Sequence, residues 1–170
     1  MHQAGSRGMV MVMVLVLLGI MGLMAMFSLR LALTGQAVAS NRHAHAQALQ
    51  AAELALRYCE DSIGRPDSVV PVQPAPDVDA DAPVLWQTAS HWGKSAPLAS
   101  QVPRALAHGA LSMPADAALP QCLVEAMVLR RVRGGDDRLG AWLVTARGTS
   151  PDYRPDGQGA EVWLQSVVRR

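Results

Sequence analysis

The N-terminal part of the chain contains a run of 21 residues, from residue 9 to residue 29, without a charged side chain. An α-helix needs about 20 apolar residues to cross the hydrocarbon core of a bilayer. The whole chain has only 170 residues, enough for one modest globular domain and a membrane segment but too few for two domains with separate cores. The sequence therefore predicts one membrane-spanning helix that anchors one modest globular domain.

A secretory signal peptide is the alternative interpretation of this run. The apolar part of a signal peptide is typically about 7 to 15 residues long and is followed by small residues at a cleavage site. The run here is longer, although residues 34–40 offer small side chains. The positive-inside rule does not choose an orientation, because Arg7 before the run is balanced by Arg30 and Arg42 after it.

Charge and motif content argue against several classes of function. The 15 basic and 14 acidic residues give a formal net charge of +1, so no strong positive field indicates nucleic-acid binding. No serine, cysteine or carboxylate pair lies in a recognisable catalytic setting, and we predict neither an enzyme nor a cofactor. Asp77, Asp79 and Asp81 have the spacing of a calcium loop, but Ala82 and Thr88 occupy its sixth and twelfth positions. We therefore predict no metal site.

The apolar run continues into a second helical segment. Residues 31–62 contain no proline and are rich in Ala, Leu, Gln and Arg, which predicts one unbroken helix. Gly64 and Pro66 then end it. The second half carries an apolar stripe at three-then-four spacing, which should face the globular domain: Leu49, Ala52, Leu56, Cys59 and Ile63.

The rest of the chain divides into an irregular part and a strand-rich part. Residues 64–121 are predicted to be an irregular Pro-rich connection, with no packed element over residues 69–83. Residues 122–170 contain three apolar, β-branched runs separated by turn residues, which predict an antiparallel meander. The expected fold class is α+β, a long N-terminal helix packed on a small C-terminal antiparallel sheet.

The two cysteines, Cys59 and Cys122, both follow the apolar run. An exported domain meets an oxidising compartment, in which paired cysteines form disulfides. Cys59 lies on the helix stripe and Cys122 at the start of the first predicted strand. We therefore predict a disulfide between them where helix and sheet pack.

Residues 6–10, Ser-Arg-Gly-Met-Val, resemble the site at which prepilin peptidase cuts class III signal peptides. By this resemblance, cleavage falls between Gly8 and Met9, and residues 1–8 form a leader. Most pilins carry a glutamate four residues beyond the first mature residue, whereas this chain has Met13. PilX-like minor pilins and K-type pseudopilins of type II secretion depart from the pilin pattern in this way, and the departure implies a place at the fibre tip.

Further segments favour the first of these two families. Residues 143–149 and 162–166 resemble the closing ITARGxG and VVLQS strands of PilX-like minor pilins. K-type pseudopilins rank second, because they are usually much longer and carry an inserted helical domain. The helix of PilX-like minor pilins has a QAAEAALR-type segment, which residues 47–57 closely resemble. The QAAE at the start of that segment corresponds to these residues: Gln50, Ala51, Ala52 and Glu53.

The resemblance implies a structural, non-enzymatic subunit that primes assembly of a type IV pilus or caps it. Its implied partners are prepilin peptidase, the pilus assembly platform and other minor and major pilins. Residues 9–29 would span the inner membrane and residues 30–63 would continue the helix into the periplasm, before the subunit joins a pilus at its tip or base. The alternatives are a K-type pseudopilin of a type II secretion system and a membrane-tethered periplasmic binding module.

Overall fold

The computed structural model describes residues 7–74, 84–93, 98–111, 113–129, 139–154 and 156–169. The chain divides into two compact units, Met1–Arg42 and His43–Arg170. We call the second unit the head. One helix, α1 (Arg7–Ser62), supplies the described part of the first unit and the N-terminal element of the head.

The described part of the first unit is helical, and every side chain from residue 9 to residue 42 is exposed. Its most apolar 18-residue window has a mean hydropathy of 2.8, so the helix is long and apolar enough to cross a membrane. The hydroxyls of Ser28 and Thr34 donate to the backbone carbonyls of Met24 and Leu31 at 3.0 Å each. These bonds satisfy two polar groups within the helix itself, as an apolar environment requires.

The head is built on a five-stranded mixed sheet. Its central meander is antiparallel, with β3 paired to β4 and β4 paired to β5. Two short strands pair with β3, β1 in parallel and β2 antiparallel. The strands are β1 (Val72–Gln73), β2 (Ser100–Gln101), β3 (Gln121–Leu129), β4 (Leu139–Thr149) and β5 (Glu161–Arg169). The predicted α+β fold, with a long helix packed on a small sheet, is confirmed.

The connection before the meander is more ordered than the sequence predicted. It contains β1, β2, two short 3-10 helices (Leu85–Gln87 and Ala89–His91) and α2 (Arg104–Ala110). The parallel pairing of β1 also makes the sheet mixed rather than purely antiparallel. Two-residue strands carry no periodicity, so a pattern in the sequence cannot reveal them. The aspartates of the calcium-like spacing, at residues 77, 79 and 81, lie outside the described residues.

The main core lies between α1 and one face of the meander. Three members of the predicted helix stripe, Ala52, Cys59 and Ile63, are buried there, and Leu49 and Leu56 lie half-buried beside them. Alanines rather than leucines occupy the central line, because small side chains let the helix approach the sheet closely. The buried residues of this core include Ala55, Val102, Cys122, Val124, Val144 and Ala146.

Candidate functional site

The contact between α1 and β4 joins two of the segments singled out in the sequence. Ala51 and Ala52 are buried against β4, while Gln50 and Glu53 of the same segment are exposed. A Cβ atom added at Gly148 would lie 2.1 Å from the backbone nitrogen of Ala52. Only glycine leaves room for the two backbones to touch. The alanine pair and the glycine are therefore complementary parts of one close helix-to-strand contact.

The predicted disulfide between Cys59 and Cys122 is present, and it joins α1 to β3 with the two Cα atoms 6.3 Å apart. Both residues are fully buried. A hydrogen bond joins α1 to β5, where the Ser166 hydroxyl donates to the carboxylate of Glu60. The helix is thus fastened to β3 by a covalent bond, to β4 by close packing and to β5 by a hydrogen bond.

Gly8 and Met9 lie in the first turn of α1, in the first unit, and Met9 is 71% exposed. The other residues predicted for function belong to the head. Cleavage between Gly8 and Met9 stays a prediction, because no contact of these residues bears on it.

The face of the meander opposite α1 carries a groove of about 1220 Å³. The chain has seven aromatic residues in total, and four of them line this groove: Trp86, Trp92, Tyr153 and Trp163. The rings of Trp92 and Trp163 meet edge to face, with centroids 4.7 Å apart, a favoured geometry for aromatic pairs. The side-chain amide of Gln121 fixes one wall, because it accepts from the Gly93 N–H and donates to the Gly93 carbonyl, both at 2.9 Å.

A polar network occupies one end of this groove. The Nε of Arg147 donates to Glu161 at 2.6 Å, and the Tyr153 hydroxyl donates to the same carboxylate at 2.8 Å. The guanidinium of Arg147 also lies over the rings of Tyr153 and Trp163, at 5.8 and 5.5 Å from their centroids. The hydrogen bond to Glu161 raises the pKa of Tyr153, and desolvation adds to this effect. Within the network, the charges of Arg147 and Glu161 balance each other.

Glu125 is a buried carboxyl group on the same face of β3. It is 2% exposed, and its Oε2 has no hydrogen-bond partner in the part of the chain that the structure describes. Burial raises the pKa of Glu125, against the opposing effects of a backbone hydrogen bond from Leu85 and the charge of His91. A buried carboxylate oxygen without a hydrogen bond is costly, so burial shifts Glu125 toward its protonated form.

Sequence reasoning missed the groove and its network. Alternation along β4 and β5 does assign Arg147, Glu161 and Trp163 to the face away from α1. The tryptophans before β2 reach the same face only through the fold of a segment that has no clear pattern. Comparison with known proteins adds no assignment, since no family model, no curated protein and no solved structure matches the chain significantly.

Proposed function

We propose that this chain is a minor pilin, a membrane-anchored structural subunit that primes assembly of a type IV pilus or caps it. The observation that carries the proposal is the contact at Gly148. The helix segment and the strand segment that resemble PilX-like minor pilins pack directly on each other, through Ala51, Ala52 and Gly148. The two segments that resemble the family therefore form the two sides of one contact, which needs small residues on both sides.

The first unit supports the same proposal. Every apolar side chain from residue 9 to residue 42 is exposed. An apolar surface of this size is covered in a stable protein by lipid or by other subunits. A pilin helix meets both environments in turn, first in the inner membrane and then among neighbouring pilin helices. The helix has no charged side chain from residue 9 to residue 29, which suits both environments.

The test is processing by prepilin peptidase in membranes. Wild-type chain should lose its first eight residues, and Gly8→Val should stay full length because the enzyme requires a small residue before the apolar run. Gly5→Val is the matched control, since it places the same side chain within the leader but away from the cleavage site. Normal processing of Gly8→Val, or blocked processing of both variants, contradicts the proposal.

A second candidate, a membrane-tethered binding module without a role in a fibre, is favoured by the aromatic groove alone. Concentrated tryptophan, tyrosine and arginine side chains are typical of binding surfaces. The same experiment separates the two functions, because a tethered module has no reason to be a substrate of prepilin peptidase. A chain that retains residues 1–8 in the presence of the active enzyme therefore favours the module.

A further inference from the structure

We propose that the free edge of β5 binds an extended strand of a partner protein, which adds to the sheet as its next strand. The strand pairing rests on the head alone, the choice of partner also uses the apolar run of the first unit, and neither depends on whether the chain is a pilin. The two edges of the meander differ. β1 and β2 pair with β3 at one edge, whereas no strand in the described part of the head pairs with the outer edge of β5.

The edge of β5 is long and lacks the usual protection against pairing. All nine residues pair with β4 in continuous register, from Glu161 opposite Thr149 to Arg169 opposite Ala141. The strand contains no proline and no lysine, and its two charged residues lie at its ends. Natural proteins usually blunt an exposed edge with short strands, bulges, prolines or charges. β5 has none of these devices in its interior, which is typical of an edge that pairs.

The hydrogen bonds of the β4–β5 turn show which backbone groups face the open edge. The Ser150 N–H donates to the Ala160 carbonyl at 2.9 Å, so this carbonyl points toward β4. Carbonyls two residues apart in a strand point the same way, and opposite pairs in an antiparallel ladder alternate between bonded and non-bonded. The even-numbered residues of β5 therefore bond β4. The odd-numbered residues direct their N–H and carbonyl groups outward: Glu161, Trp163, Gln165, Val167 and Arg169.

The side chains beside this edge define the chemistry of the partner strand. On the outer face, Trp163 is 41% exposed and Val167 is 56% exposed. On the helix face, Leu164 and Val168 are only partly buried. A partner strand covers both pairs only if it carries apolar residues on both of its faces, and therefore at successive positions. Trp163 also lines the aromatic groove, so one partner side chain can enter the groove while the backbone pairs with β5.

The direction of α1 favours a different protein over a second copy of this chain. Ala52 contacts Gly148, which stands opposite Val162, and Glu60 bonds Ser166. This part of α1 therefore runs in the same direction as β5. Two copies paired antiparallel along β5 would point the N-terminal ends of these helical segments in opposite directions. Both chains continue in sequence from those ends into an apolar run, so an antiparallel pair of copies would begin its two apolar runs at opposite ends of the paired strands.

The proposal is tested with two variants at one outward position, in the full chain expressed in its native membrane with an affinity tag. Val167→Pro removes an outward N–H and leaves the β4 ladder intact, as proline is tolerated where the N–H of an edge strand faces away from the sheet. Val167→Ala keeps the N–H and loses most of the same side chain. We expect a protein that co-purifies with wild type and with Val167→Ala to be recovered about tenfold less with Val167→Pro.

Two controls keep this test independent of misfolding. Val167→Pro should retain the Cys59–Cys122 disulfide and have a free energy of unfolding close to that of Val167→Ala. Ser166→Pro should destabilise the head, because its N–H points toward β4 and its hydroxyl bonds Glu60. Hydrogen exchange tests the pairing without any substitution. The amides of Trp163, Gln165 and Val167 should exchange fast in the isolated chain and slowly in the membrane complex.

Equal recovery with Val167→Pro and Val167→Ala, or unchanged exchange at the outward amides between chain and complex, overturns the proposal. Recovery of only a differently tagged second copy of this chain, dependent on the Val167 N–H, overturns the assignment to a different protein.

Discussion

Substitution of Gly148 by alanine is the sharpest test of the head's architecture. The added Cβ would lie 2.1 Å from the nitrogen of Ala52, 2.3 Å from the carbonyl oxygen of Ala48 and 2.8 Å from the carbonyl carbon of Ala51. All three are backbone atoms of α1, so no side-chain rotation relieves the overlap. Helix and strand must separate by about 1 Å to restore ordinary contact, and the alanines of the core then lose their close packing.

The expected cost is about 3 kcal/mol, at the upper end of the range for overpacking a core. The disulfide between Cys59 and Cys122 limits how far α1 can retreat from the sheet, which prevents a cheap relaxation. A loss of this size is a large part of the stability of a small domain. Ala52→Gly should not rescue the variant, because the clash involves the backbone at residue 52 and not its side chain.

The assay is urea unfolding of the oxidised full chain in detergent, followed by a signal from the head. Gly140→Ala is the matched control on the same strand, since among the described residues its added Cβ would meet only one atom within 4 Å, a ring atom of Trp142 at 3.9 Å. The control should change the free energy of unfolding by less than about 0.5 kcal/mol. If Gly148→Ala is no less stable than Gly140→Ala, the close contact between α1 and β4 does not exist.

Two further predictions concern the covalent link and the buried carboxyl group. The double variant Cys59→Ala/Cys122→Ala should be less stable than the oxidised chain by about 4 kcal/mol in the loop-entropy model, given a sequence separation of 63; urea unfolding that is insensitive to the substitution would refute this. The raised pKa of Glu125 means that the folded head binds a proton more tightly than the unfolded chain, so stability should fall as pH rises from about 4.3 through the folded pKa. Glu125→Gln should flatten that fall and be more stable than wild type at neutral pH, and an unchanged pH profile of the melting temperature would contradict the role of Glu125.

The sequence predicted those parts of the fold that have long, regular patterns. α1 has no proline and a clear apolar stripe, and the three long strands have apolar runs separated by turn residues. The disulfide followed from these two predictions, since they place Cys59 and Cys122 on facing surfaces. Each of these inferences uses a period that is repeated several times along the chain.

The rest depends on contacts that no local pattern encodes. Nothing in the sequence around Gly148 states that its missing side chain makes room for Ala48, Ala51 and Ala52. The groove joins Trp92 to Trp163 across 71 positions of the chain, and a two-residue strand such as β1 is too short to have a period. These features require the register of the sheet, which only the three-dimensional structure supplies.

The N-terminal sequence of the native protein, purified from its own membranes, tests the proposed function most directly. Cleavage by prepilin peptidase predicts a mature chain that begins at Met9, with the whole apolar run retained as the membrane anchor. A mature chain that begins after residue 34 would mean that a signal peptidase has removed the run, and a chain that begins at Met1 would mean that no peptidase acts. Either result would contradict the assignment as a pilin.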